Sequence, residues 1–190
     1  MPIPFRDADD LDELGAAAFL RLRPAASGTA YVGALFIVNA RGEPLEFAYN
    51  RVDLPQTFLW RAADLHDHAQ RKLCASLFGI CARVPRLLFC LAAEVGSDLF
   101  SRELRVSVPV GRISEPIRAT AYAAEETVEV LEQPEPLHLF WYPGPPTADS
   151  IERRLFDRLV ARGLLFEPIE RTEIGLGEVY PGELMGAGPG

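Results

Sequence analysis

The chain has 190 residues, 48% of them hydrophobic and 24% charged, which suits one domain with a sizeable core. Its net charge of −8 argues against a general nucleic-acid surface, where basic residues dominate, so direct nucleic-acid binding is not expected. No window reaches the roughly 18 unbroken apolar residues of a membrane span, and the acidic start MPIPFRDADDLDEL lacks the basic region of a secretory signal, so no membrane is expected and the cytosol is the default compartment.

Residues 1–14 carry Asp7, Asp9, Asp10, Asp12 and Glu13 and read as a mobile acidic arm. A single α+β domain is expected over residues 15–184. Ala18–Arg23 alternates like a first strand, and Pro24 to Gly28 turns the chain back. Tyr31–Val52 then contains two apolar runs around Asn39-Ala40-Arg41-Gly42-Glu43-Pro44, the pattern of a β-hairpin. Both faces of its first run are apolar, which places that strand inside a sheet covered on both sides. The second run alternates and leaves one face for water or a partner. An antiparallel meander over about residues 18–52 follows.

Asp64 reads as the N-cap of a central helix over about residues 65–82. Leu65, Ala69, Leu73, Leu77 and Ile80 form its core stripe, and Pro85 prevents continuation. Arg86–Val95 is an apolar run bounded by Pro85 and Gly96, an interior strand that extends the meander into a mixed sheet. Arg105–Ile113 alternates, but Pro109 lacks a ladder donor and argues for an edge or bulge. Residues 114–136 read as loop plus a short helix. Leu137–Tyr142 is a further strand, and a C-terminal helix over about residues 150–162 starts at a Thr147 or Asp149 cap and stops at Gly163. Leu164–Ile169 reads as one more strand and residues 185–190 as a disordered tail. This element order is loosely similar to small profilin-like or roadblock-like scaffolds; the likeness rests on no motif and carries over no residue and no function.

The candidates for chemistry each meet a plainer alternative. His66 and His68 lie about 200° apart around a helix, since successive residues turn by about 100°, and so cannot share a metal. Cys74 and Cys81 share a stripe but stand about 10.5 Å apart at 1.5 Å rise per residue, too far to ligate one zinc directly. With Cys90 they make an odd set of thiols, best read as packing in a reducing compartment. Glu43, Glu46, Glu94 and Asp98 with Lys72 are the residue types of a nuclease site, but no spacing joins them. No Gly-rich phosphate loop or nucleophile elbow is present. No catalytic residue, metal ligand or cofactor is therefore assigned.

Two features point to partners. Glu125, Glu126, Glu129, Glu132 and Glu135 form an acidic tract with no Lys or Arg from Ala119 to Trp141. Phe140-Trp141-Tyr142 runs into Pro143-Gly144-Pro145-Pro146, and alternation is expected to leave Trp141 or Tyr142 at a rim. The sequence therefore suggests a non-catalytic subunit or adaptor that self-associates or docks on a protein through Trp141, Tyr142, Glu125, Glu126, Glu129 and Glu132. The alternatives are a hydrolase assembled from scattered cysteine, histidine and carboxylate side chains, and an apolar ligand held by Phe58, Trp60 and Trp141.

Overall fold

The computed structural model describes residues 11–55, 58–114, 123–132 and 136–184. Among them a seven-stranded mixed sheet runs in the order β3-β2-β1-β4-β5-β7-β6. The strands are β1 (Ala16–Pro24), β2 (Ala30–Asn39), β3 (Pro44–Asp53), β4 (Leu87–Leu91), β5 (Val110–Ser114), β6 (Thr127–Leu131) and β7 (Leu137–Tyr142). Three helices pack on the sheet: α1 (Ala62–Ile80), α2 (Ile151–Ala161) and α3 (Glu167–Val179). This is an α+β architecture with the expected meander at one side. No helix among the described residues is long and apolar enough to cross a membrane.

The meander follows directly from its residues. Pairing of β1 with β2 runs from Ala16↔Asn39 to Pro24↔Tyr31, so the all-apolar β2 lies between two partners. After β3 the chain crosses the sheet through α1 and enters β4, which pairs with β1 in parallel. The β1–β4 junction is thus where the chain path reverses direction across the sheet, the place where open sheets of this kind bind ligands, outside the strand carboxyl ends.

Helices cover both faces. On one face Leu73, Cys74 and Leu77 of α1 meet Leu20, Leu35, Ile37, Leu88 and Cys90. On the other, Leu155, Phe156 and Leu159 of α2 and Ile169 of α3 meet Phe19, Phe36, Phe89 and Trp141. Phe89 links Phe19, Phe156 and Trp141 at centroid distances of 5.4, 6.1 and 5.8 Å.

Several expectations need correction. Leu11–Leu14 is a 3₁₀ turn with Leu11 and Leu14 buried, so this part of the acidic segment belongs to the core; residues 1–10 and 185–190 lie outside the described residues, as does Glu135. Asp64 does not cap α1. The cap position is Arg61, whose guanidinium instead reaches Asp64 in the first turn at 2.7 Å. Strand β5 is interior, flanked by β4 and β7, because Pro109 stands one residue ahead of it, and there its carbonyl accepts from Leu88 N. Within 114–136, Val128 and Val130 belong to β6, so their alternation was the true signal there.

Helix α2 is capped by Ser150, whose hydroxyl accepts from Arg153 N, and Gly163 stops it with a φ of 67° that L side chains avoid. No strand forms at Leu164–Ile169. Pro168 opens α3 instead, and Ile169, Thr172 and Leu176 recur at helical spacing. Gly175 lets α3 sit on the sheet: a Cβ there would lie 2.6 Å from the Phe47 ring.

Candidate functional site

The strongest grouping of charged side chains lies at the carboxyl ends of β1 and β4. Strand β1 ends in Arg21-Leu22-Arg23, and alternation puts both arginines on the α3 face. Beyond β4 the chain folds back, with Glu94 N and Val95 N both donating to Leu91 O. That turn presents Glu94 to Arg21, which donates from Nε and Nη2 to its two oxygens at 2.9 and 2.6 Å. Arg21 Nη2 also lies 2.8 Å from Glu173 Oε2 of α3, and Arg23 Nη1 reaches Glu173 Oε1 at 3.2 Å and Glu94 Oε1 at 3.7 Å. Two guanidinium groups and two carboxylates therefore interlock around the junction.

The backbone of the Glu94 turn is clamped from the opposite face. Gln70, buried on α1, donates its side-chain amide to Glu94 O. Arg112 of β5 donates Nη1 to Val95 O at 2.8 Å. Its Nε and Nη2 hold Glu126 at 2.6 and 2.8 Å, and this ion pair is only 2% and 1% exposed. Glu126 Oε2 also accepts from Ala123 N. Burial pushes the Glu94 carboxyl above the usual carboxylate range, against the downward pull of Arg21 and Arg23. A carboxyl raised in this way beside fixed positive charge is a candidate acid–base group.

Aromatic side chains stand at the same end of the sheet. Leu54 N donates to Thr29 O beside the end of β1, and the chain then runs through Phe58, Leu59 and Trp60 into α1. Phe58 is 97% exposed and Leu59 80%. Trp60 rests on His68 at a centroid distance of 4.9 Å, and His66 Nδ1 pairs with the Tyr31 hydroxyl.

The residues singled out from sequence fare differently. Glu125 and Glu132 are exposed, Tyr142 is half-buried, and Glu126 and Trp141 are buried. Trp141 does not reach a rim, because helices cover both sheet faces and alternation turns no β7 side chain outward at that position. Its indole donates to Glu129 Oε2 at 2.8 Å, while Arg153 holds Glu129 Oε1. Trp141 is thus remote in environment from exposed Phe58, and no aromatic trio forms. Cys74 and Cys90 are buried free thiols; burial pushes both up, Cys90 to about 12. Glu43 bonds Asn39 at the hairpin, and Glu46 accepts from Ala82 N and Arg83 N past the end of α1, at the opposite end of the sheet from Glu94. Among the described residues no group of three or more His, Cys, Asp or Glu is placed to hold a metal ion.

Sequence reasoning placed Glu94 among candidates but passed over Arg21, Arg23 and Glu173. The available signal was the pair of arginines on one face of an otherwise apolar strand, where burial without a carboxylate partner is costly.

No family model matches the sequence, and no curated protein matches it. Solved structures do. The chain is similar to endonuclease V from Streptomyces avermitilis at a TM-score of 0.55 and 11% identity, covering 90% of this chain and 91% of that one. Endonuclease V from Bacillus subtilis aligns at 0.52 and 12%, covering 86% and 79%, and the catalytic domain of human endonuclease V at 0.53 and 11%, covering 87% and 82%. The fold is that of endonuclease V. The expectation of a non-catalytic protein–protein adaptor, with nucleic-acid binding set aside, is overturned by this likeness: the scaffold is one on which nucleic-acid-cleaving enzymes are built.

Proposed function

We propose that this chain acts on nucleic acid at the carboxyl ends of β1 and β4, as a phosphodiester hydrolase. The observation that carries the reading is local: on a sheet with the endonuclease V fold, Arg21 and Arg23, the raised Glu94 carboxyl and the exposed Phe58–Trp60 segment share one end. Arginines match phosphate oxygens, and exposed aromatic rings stack on bases. Burial strengthens the guanidinium charges toward a phosphorane. An attacking water bonds to phosphorus and gives its proton to Glu94, and that proton passes to the leaving oxygen as the old P–O bond breaks. The cytosol suits this work, since Cys74, Cys81 and Cys90 are unpaired thiols of the kind a reducing compartment keeps.

A second reading, binding without cleavage, is favoured by one observation. Arg21 closes on both oxygens of Glu94, so the carboxylate must loosen before it takes a proton. Fluorescence anisotropy with labelled single-stranded and duplex oligonucleotides, followed by gel analysis of the same mixtures in magnesium buffer, separates the two. The hydrolase reading expects binding and cleavage, with cleavage lost and binding kept in Glu94→Gln. Binding with intact oligonucleotides supports the second reading, and no binding overturns both.

A further inference from the structure

We infer that Glu173 of α3 occupies the phosphate position of the arginine pair, and that a substrate phosphate enters by displacing it. The inference rests on the reading of this end of the sheet as a nucleic-acid site and concerns how that site is opened.

The geometry supports an exchangeable occupant. Glu173 spans both guanidinium groups, with Oε2 2.8 Å from Arg21 Nη2 and Oε1 3.2 Å from Arg23 Nη1. A phosphodiester offers two anionic oxygens in much the same way. The two carboxylates at the site are not held alike. Glu94 takes two hydrogen bonds from Arg21 and a longer one from Leu22 N, and its side chain is 11% exposed. Glu173 is 26% exposed and takes one hydrogen bond, from Arg23 Nη1 to Oε1 at 3.2 Å, while its buried Oε2 sits near Arg21 by charge alone, without a hydrogen bond of good geometry.

Charge and mechanics agree. Withdrawal of Glu173 removes one negative charge from beside the two guanidinium groups, the charge that an entering phosphodiester replaces. Opening needs no movement of α3. Ile169, Thr172 and Leu176 anchor that helix in the core, whereas Glu173 stands beside exposed Ile174 and swings to water by side-chain rotation. The Arg21–Glu94 contact persists through the exchange, so the acid–base group stays in place while phosphate arrives at Arg23 and the outer edge of Arg21.

Glu173→Gln tests this, because it keeps the shape and removes the charge. Oligonucleotide anisotropy across a salt series is expected to show Glu173→Gln binding about tenfold tighter than wild type with an unchanged log–log salt slope, since the same phosphate contact forms in both once Glu173 has withdrawn. Equal or weaker binding overturns the inference, and so does a steeper slope in Glu173→Gln, which would mean that wild type never makes the contact. Inorganic pyrophosphate, read by thermal shift, gives a second arm that does not depend on nucleic acid. It is expected to stabilise Glu173→Gln more than wild type, and not the Arg23→Ala/Glu173→Gln double variant. If neither protein binds oligonucleotide while pyrophosphate still discriminates, the functional reading fails and the gated anion site stands. If pyrophosphate shifts all three alike or none, the gated site fails. Should Glu173→Gln fold poorly by circular dichroism, Glu173→Asp, which withdraws the carboxylate by one methylene, is expected to move both readouts in the same direction by a smaller amount.

Discussion

The two ends of the parallel strands are built on opposite principles. At the amino end a cleft of about 900 Å³ is walled by Val84, Pro85, Val106, Pro109 and the Pro143–Pro146 turn, with the Arg86–Glu152 pair at 3.0 Å on its flank. At the carboxyl end Arg21, Arg23, Glu94 and Glu173 interlock, backed by the buried Arg112–Glu126 pair. The amino end has a wide hollow, yet the carboxyl end holds the carboxyl that burial raises and the concentrated charge. Desolvated charge marks a site because a fold keeps it against a large hydration cost only where geometry holds it in place.

That contrast is open to direct attack, beginning with the buried pair. Arg112→Met strands Glu126 in the core and is expected to cost about 3–5 kcal/mol in urea unfolding, whereas replacing both partners with apolar residues of similar volume should recover most of it. Equal losses for the single and double variants would mean that the pair itself, and not an unpaired charge, sets the cost. On the amino side, Arg86→Met should change stability by at most about 1 kcal/mol, as a partly exposed pair does.

A pH series sharpens the comparison further. Glu94 titrates above its ordinary 4.5 in the fold, so between 4.5 and its raised value the folded state holds a proton that the unfolded chain has lost. Its contribution to stability is full below 4.5 and falls as pH rises through that window. At the amino end the signs reverse. Backbone hydrogen bonds, first from Ala82 N, hold half-buried Glu46 low, and Glu152 is held low by its own backbone N–H and by Arg86. Their small contributions are present above 4.5 and disappear as pH falls through their lowered values. Urea midpoints of Glu94→Gln should therefore lose the decline above 4.5, and those of Glu46→Gln the decline below it. Identical profiles for wild type and Glu94→Gln would remove Glu94 from the account.

The smallest effect expected is chemical. Native protein should take up one equivalent of a thiol reagent, at half-buried Cys81, while Cys74 and Cys90 react only on unfolding, their thiols kept neutral by burial. Fast modification of two or three thiols would indicate a looser core under α1.

The meander, α1, β4, β7 and α2 were legible because each depends on local patterning: apolar runs, helical stripes, and Pro or Gly stops. Strand β6 and helix α3 were not. Val128-Glu129-Val130 offers a single alternation, and Gly175 and Gly177 lower the helical signal of α3 for the sake of close approach to Phe47. The site was less legible still. Arg21, Glu94 and Glu173 are separated by 73 and 79 positions, and only the crossover through α1 and the final return of α3 bring them together. Trp141 misled for a related reason: alternation reports which side a residue faces, and here both sides are covered.

The most direct test of the account sets one end against the other. Oligonucleotide affinity is measured at low salt for wild type, Arg23→Ala at the carboxyl end and Arg86→Ala at the amino end. The account predicts binding by wild type, a loss of about tenfold in Arg23→Ala with a salt slope shallower by about 0.7 to 0.9, and wild-type behaviour in Arg86→Ala. Equal weakening of both variants, or a loss confined to Arg86→Ala, would contradict it.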